Sequence, residues 1–290
     1  MNKIDAVLGQ RVAYPQTYSP EVLVAVERQL NRKGLGIRDE SLPFVGADAW
    51  HAYEASCLTD GGLPTAGVIK IVVPCTSPSI VESKSLKLYL NSYNMERMGA
   101  TAGEAVRNME ARVGQDLSRL LQTDVETRFY SMASPTAHLV SLDSYETLEE
   151  SLGGVTADIY TEAPDLLGDG EYSPAGLRVK SHLLRSNCRV THQPDWGTIA
   201  IKIAGDRTPR REDLLRYIVS LRGENHFHEE ICELVYKRLK DRFAPRELMV
   251  ACLYTRRGGI DINPVRASSS KLALDALTDV NVLTDRPLRN

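Results

Sequence analysis

The stretches GVIKIVVP (67–74) and TIAIKIAG (198–205) decide the fold. In the first, Ile69, Ile71 and Val73 recur at every second position; in the second, Ile199, Ile201 and Ile203 do the same. A two-residue apolar period rich in β-branched side chains marks a strand with one buried face. The segments after the two strands are also alike. A short polar segment containing Pro78 or Pro209 leads into helix-like segments with the kernels YLNS (89–92) and YIVS (217–220). Amphipathic helical patterns come next, over GEAVRNMEARVGQDLSRLL (103–121) and HEEICELVYKRLKDRF (228–243). Each half then returns to a strand, DVETRFYSM (124–132) and ELMVACLYTRR (247–257). One plan is used twice: strands, two helices, then a strand or two. Each half is too thin to make a sizeable core alone. A sheet covered by helices on one face needs a partner for its other face or edge.

Nearer the N-terminus, YSPEVLVAVERQLNRKGLGI (18–37) reads as a helix with Ser19 as N-cap, Pro20 at the first helical position and Gly34 as the stop. The rest of the first 65 residues looks less regular. The expected division is an N-terminal module over residues 1–135, a connecting segment over 136–185 and a C-terminal module over 186–290. The connection is rich in Ser, Asp, Glu, Gly and Pro, with one strand near VSLDSYE (140–146). The end, LTDVNVLTDRPLRN (277–290), reads as a peripheral tail.

Composition narrows the function classes. The 290 residues are 42% apolar and 25% charged, as in a globular chain. A net charge of −3 gives no reason to invoke nucleic acid or an anionic membrane surface. No apolar run is long enough to span a bilayer, and MNKIDAVLGQRVAYP lacks the apolar core of a signal peptide. The five cysteines are odd in number, scattered and outside CxxC pairs, which points to reduced thiols in the cytoplasm.

Four constellations can carry chemistry. Cys188 lies in SNCRVTHQPDWGTIAIKI (186–203), a polar loop with Pro194 and Gly197 before the strand. Arg189, His192 and Asp195 are its sequence neighbours, and cationic neighbours favour a nucleophilic thiolate. The competing reading is a small buried hydrophobe. In ESKSLKLYLNSYN (82–94), Glu82, Ser83, Lys84, Ser85 and Lys87 open a helix whose amides and lysines suit a phosphate-bearing ligand. A solvated, salt-bridged first turn is the plainer alternative. In NHFHEE (225–230), His226 and His228 suit proton transfer, and Glu229 suits a ring edge with several N–H donors. A surface helix cap fits the same residues. In YTRRGGIDINPVR (254–266), Arg256 and Arg257 beside two glycines suit phosphate, or simply solvent. The spacing of Cys188, His192, His226 and His228 is weak evidence for zinc, and no metal is expected. GxGxxG, GxxxxGK[ST] and GxSxG motifs are absent.

In this order the four motifs resemble the NADPH-dependent 7-cyano-7-deazaguanine reductases, the QueF family of queuosine biosynthesis, in its long two-module form. The resemblance covers most of residues 40–266. It implies an α+β tunnelling fold: two ββααββ modules in tandem, antiparallel sheets with helices on one face, assembled as a homodimer. It also implies four-electron reduction of a nitrile to a primary amine by two NADPH in a site between modules. By motif match, Cys188 is the nucleophile that forms a covalent thioimide, Asp195 the general acid/base and His228 a second proton donor. Glu82 and Glu229 hold the deazaguanine edge. Ser83, Lys84, Ser85 and Lys87 match the cofactor-associated signature, extended to Arg256 and Arg257 for cofactor phosphates. Asp195 needs either a raised pKa or a proton taken from the thiol. The alternative on the same fold is a GTP cyclohydrolase-like or pterin-type enzyme with a Cys/His zinc site and no NADPH.

Overall fold

The computed structural model describes residues 15–131, 138–139 and 142–285. The paired stretches form the strands expected. The first half contributes β1 (Ala25–Glu27), β2 (Val45–Leu58), β3 (Pro64–Pro74), β4 (Ser79–Val81), α1 (Ser83–Asn91), α2 (Ala102–Leu121) and β5 (Glu126–Ser131). The second contributes β6 (Leu177–Cys188), β7 (Pro194–Ala204), α3 (Arg211–Ser220), β8 (Asn225–His226), α4 (His228–Phe243), β9 (Glu247–Tyr254), β10 (Ile260–Ala267) and a last short helix, α5 (Asp275–Thr278).

The halves share one nine-stranded sheet, ordered β8-β6-β7-β9-β10-β2-β3-β5, with the short strand Glu146–Thr147 beside β6. All the long pairings are antiparallel. The halves join where β10 pairs with β2, from Ile260 opposite Ala52 to Ala267 opposite Val45. On the helix-covered face, Ile69, Ile71 and Val73 pack with Leu86, Tyr89, Met109 and Leu117 of α1 and α2. Ile199, Ile201 and Ile203 pack in the same way with Leu214, Ile218, Ile231 and Leu239 of α3 and α4. Burying each such aliphatic side chain contributes about 1.5–3 kcal/mol.

Several expectations are corrected. Residues 18–37 do not form one helix. Pro20–Val22 is a 3-10 turn, β1 pairs with β4, and short helical turns over 29–35 end at Gly36 (φ +66°), not Gly34. Ser19 makes no capping bond; its hydroxyl donates to the carbonyl of Thr17. The β-branched Val24 and Val26 sit where the chain runs extended, and tertiary pairing overrides the helical pattern. The first 65 residues also hold β2, 14 residues long, which its many alanines hid from a β-branched search. β6 begins at Leu177, inside the stretch read as connection. The strand read near 140–146 lies partly outside the described residues; its described end is Glu146–Thr147.

The tail is not peripheral up to the last described residues. Leu277 is fully buried on the sheet face opposite the helices, with Leu142, Tyr145, Met249, Leu253 and Val265. The ammonium of Lys70, on β3, donates to the carbonyls of Ala276, Asp279 and Val282 at 2.7, 2.8 and 2.7 Å. The chain thus covers part of its own second sheet face. Leu277→Ala should lower the unfolding free energy by about 2–5 kcal/mol in urea titration, the cost of a buried cavity. A tail lying loosely on the surface would give a change within about 0.5 kcal/mol.

Candidate active site

Cys188 is the last residue of β6. Its N–H donates to the carbonyl of Gln193 at 2.8 Å, and its carbonyl accepts from His192 N–H at 2.9 Å, closing the hairpin to β7. His192 turns the loop with φ +56°, an uncommon conformation for a non-glycine residue. Across the hairpin Asp195 pairs with Ser186, two residues before Cys188. Alternation along a strand therefore puts the thiol and the carboxylate on one face. On the other side β8 runs parallel to β6, His226 beside Cys188, and delivers the start of α4.

The convergence produces a cavity of about 340 Å³, in the range of small-molecule sites. Glu82, Ser83, Lys84 and Lys87 line it from the first half; Cys188, Asp195, His228 and Arg257 line it from the second. Val190, Phe227, Ile260 and Ile262 add an apolar wall.

Asp195 is 3% exposed and stands between an imidazole and a guanidinium. His228 Nε2 is 3.3 Å from one carboxylate oxygen, and Arg257 bonds the other. Burial pushes Asp195 up, but the bonds from His228 and then Arg257 outweigh it and hold the carboxyl below its ordinary value. The imidazole of His228 is fixed by stacking on Tyr254, ring centres 3.8 Å apart and 7° from parallel.

Glu229 has the opposite environment. It is 2% exposed, and neither carboxylate oxygen bonds another residue among those described. Burial, and then the charge of Asp48, push it up to about 8. It lies one position beyond His228, buried outside the present cavity lining. Glu82 is the N-cap of α1, accepting from Lys84 N–H at 3.0 Å and Ser85 N–H at 2.7 Å. The remaining lone pairs of its carboxylate are available at the cavity.

The other candidates divide. Ser83 and Lys84 reach the cavity, whereas Ser85 is fully buried, donating to the Glu82 carbonyl at 2.7 Å. Lys87 donates to the Gly258 carbonyl at 2.7 Å and pairs with Glu54. Arg256 lies over the ring of Tyr53, 4.4 Å from its centre. Arg189 and His192 do not serve the thiol as their sequence positions suggest. Arg189 pairs with Glu230 at 2.6 Å, and His192 bonds Asn225 at 2.7 Å. The guanidinium that lines the cavity with Cys188 is that of Arg257, distant in sequence and brought there by the β9–β10 turn. Among the described residues no cluster of three or more His, Cys, Asp or Glu side chains has a metal-holding arrangement.

Two half-sheets of antiparallel strands with helices on one face, joined edge to edge around a cavity that holds a thiol, a carboxylate and an imidazole, make a tandem α+β protein with the groups of an enzyme site. Residues 14–129 match the family model described as nitrile reductase, 7-cyano-7-deazaguanine-reductase N-term, and residues 194–272 match that of QueF-like protein. A protein of Azoarcus sp. (strain BH72), named NADPH-dependent 7-cyano-7-deazaguanine reductase, is 41% identical over 273 residues, covering 94% of each chain. One of the same name from Xanthomonas campestris pv. campestris (strain 8004) is 42% identical over 269 residues, 91% of this chain and 93% of its own. The chain belongs to the QueF nitrile reductase family.

The unpartnered Glu229 should cost the empty protein stability in a pH-dependent way. The unfolded chain ionises this group near 4.5 and the folded chain only near 8, so its ionisation opposes folding as pH rises through that window. Glu229→Gln should therefore melt above wild type at pH 8, with the gap closing toward pH 4.5. A gap independent of pH in thermal denaturation would show that the carboxyl titrates normally.

Proposed function

We propose that this chain reduces the nitrile of 7-cyano-7-deazaguanine to the aminomethyl group with NADPH, a reaction of queuosine biosynthesis, through a covalent bond to Cys188. The observation that carries the residue-level reading is the convergence of a loop thiol, an ionised carboxylate and an imidazole on one cavity, with an unpartnered buried carboxylate behind it.

The deazaguanine edge offers adjacent N–H donors. Glu229, lacking a partner, and Glu82, with lone pairs left over from its cap, are the acceptors that fit them. Bonds from ring N–H groups favour the ionised form, so binding draws a proton from Glu229. The Cys188 S–H gives its proton to the Asp195 carboxylate as sulfur attacks the nitrile carbon. One C≡N π bond opens, a C–S bond forms, and Asp195 passes the proton to nitrogen, leaving a thioimide and a carboxylate again. The lowered pKa of Asp195 favours this order, base first and acid second.

NADPH supplies the hydride, twice per nitrile. Ser83 and Lys84 at the cavity suit its polar and phosphate groups, and the chemistry of this donor set fits them. Ser85 and Lys87 act instead through the helix cap and the Gly258 turn. After reduction at carbon, Cys188 departs as thiolate. His228, its Nε2 3.3 Å from Asp195, resupplies the protons that nitrogen gains. Val190, Phe227, Ile260 and Ile262 keep water from the imine that remains.

The cytoplasm fits the five unpaired cysteines. No helix among the described residues is long and apolar enough to cross a membrane. A homodimer fits the exposed apolar residues Leu63 and Met95 near the β2–β3 hairpin.

With 7-cyano-7-deazaguanine as sole acceptor, absorbance and product analysis should give two NADPH oxidised per amine and almost no aldehyde. One NADPH per product, or aldehyde as the main product, would defeat the reading. A zinc-dependent ring hydrolysis would consume no NADPH at all.

A further inference from the structure

The two arginines of the RRGG segment part company. Arg256 turns away to Tyr53. Arg257 turns into the cavity, where Nη1 bonds Asp195 and Nη2 donates to Gln193 Oε1 at 2.5 Å and Thr191 Oγ1 at 3.4 Å. The Cys188 thiol lines the same cavity. Its presentation is rigid. Arg257 N–H donates to the Ile260 carbonyl at 2.9 Å and Ile260 N–H returns to the Arg257 carbonyl at 3.2 Å. Gly258 and Gly259 hold φ +59° and +78° between them, as a two-residue hairpin turn requires. Lys87, from the other half, locks the turn through the Gly258 carbonyl at 2.7 Å. Such a guanidinium is built into the hairpin and already engaged on its catalytic side, unlike a surface arm awaiting phosphate.

We propose that Arg257 is a positioning residue of the covalent step: its guanidinium orients the Asp195 carboxylate and steadies the negative charge that passes between Asp195 and Cys188. This rests on the covalent reading of Cys188. During addition the proton moves from sulfur to carboxylate to nitrile nitrogen, so one negative charge visits sulfur and carboxylate in turn. Arg257 bonds the carboxylate and lines the same cavity as the thiol. The ionisable groups facing Asp195 are Cys188 from β6, His228 from α4, Tyr254 from β9 and Arg257 from the turn. Arg257 is the one among them that stays charged at every working pH.

The test separates this role from service to cofactor phosphates, because thiol addition needs no NADPH. Wild type, Arg257→Gln and Arg257→Lys are mixed with 7-cyano-7-deazaguanine without NADPH, and the covalent mass on Cys188 is followed by quenched intact-protein mass spectrometry from pH 5 to 8. The KM for NADPH is measured separately. In Arg257→Gln, adduct formation should slow by about tenfold or more at pH 7, as expected for impaired proton transfer. Its acid limb should also move up by about 1–3 pH units, the effect of removing a neighbouring opposite charge. Arg257→Lys, which keeps the charge, should restore the limb, and the KM for NADPH should change little in either variant. An adduct at the wild-type rate and pH profile in Arg257→Gln, with a raised KM for NADPH, would overturn the proposal in favour of phosphate binding. Equal losses in both variants with an unshifted limb would overturn it in favour of a merely structural role. Absence of any adduct in the wild type would sink the covalent reading itself.

Discussion

The pairing of β10 with β2 is the constraint on which the rest of the molecule depends. It fuses two half-sheets and aligns the thiol hairpin of one half with the first turn of α1 in the other. Charge reinforces it beneath the helices. Arg266 on β10 reaches Asp48 on β2 and Glu233 on α4, each at 2.8 Å. Arg32 reaches the same Glu233 at 2.7 Å, and Arg28 reaches Asp48 at 2.5 Å. Arg266 and then Arg28 outweigh burial at Asp48, and the arginines do the same at Glu233, so both carboxyls lie below their ordinary values. Removing one member of such a buried set leaves an uncompensated charge and costs about 3–5 kcal/mol.

The same lattice acts on Glu229, the carboxylate proposed to recognise the ring edge. Glu229 feels Asp48 as a like charge, and the bonds that pull the other buried acids down do not reach it. Asp195, which lines the cavity, has an imidazole and a guanidinium beside it and is pulled down. Two buried carboxyls are thus driven in opposite directions, and in the proposed reaction this separates their roles: one takes a proton, the other exchanges its proton for ligand N–H bonds. The unsatisfied Glu229 is a local cost to stability, as the proposed binding role would require.

Much of this was legible in the chain. The two-residue period of Ile69, Ile71 and Val73, matched by Ile199, Ile201 and Ile203, marked both central strands, and α4 begins and ends where its amphipathic pattern does. The motif residues Cys188, Asp195, His228 and Glu82 do meet at one cavity. What was not legible depends on non-local contact. Proximity in sequence suggested Arg189 and His192 as the thiol's cations, yet a hairpin loop directs neighbouring side chains apart, and the turn of another hairpin supplies Arg257. The alanine-rich β2 has Val45 as its one β-branched residue, so its strand signal is weak. Leu277 and Lys70 look like surface residues until the tail crosses the sheet, where Leu277 joins an apolar cluster and Lys70 bonds the tail carbonyls. The lone cation within the strand IDINPVRA was the one local sign of the lattice at Arg266.

The central claim is that recognition and reaction groups from both halves act on one ligand across the seam. A crystal structure of Cys188→Ala with 7-cyano-7-deazaguanine bound tests it most directly. The account predicts the ring edge bonded to the Glu229 and Glu82 carboxylates, with the nitrile carbon facing residue 188 and its nitrogen toward Asp195. A ligand seated elsewhere, or one that leaves Glu229 without a partner while its nitrile points away from residue 188, would contradict it.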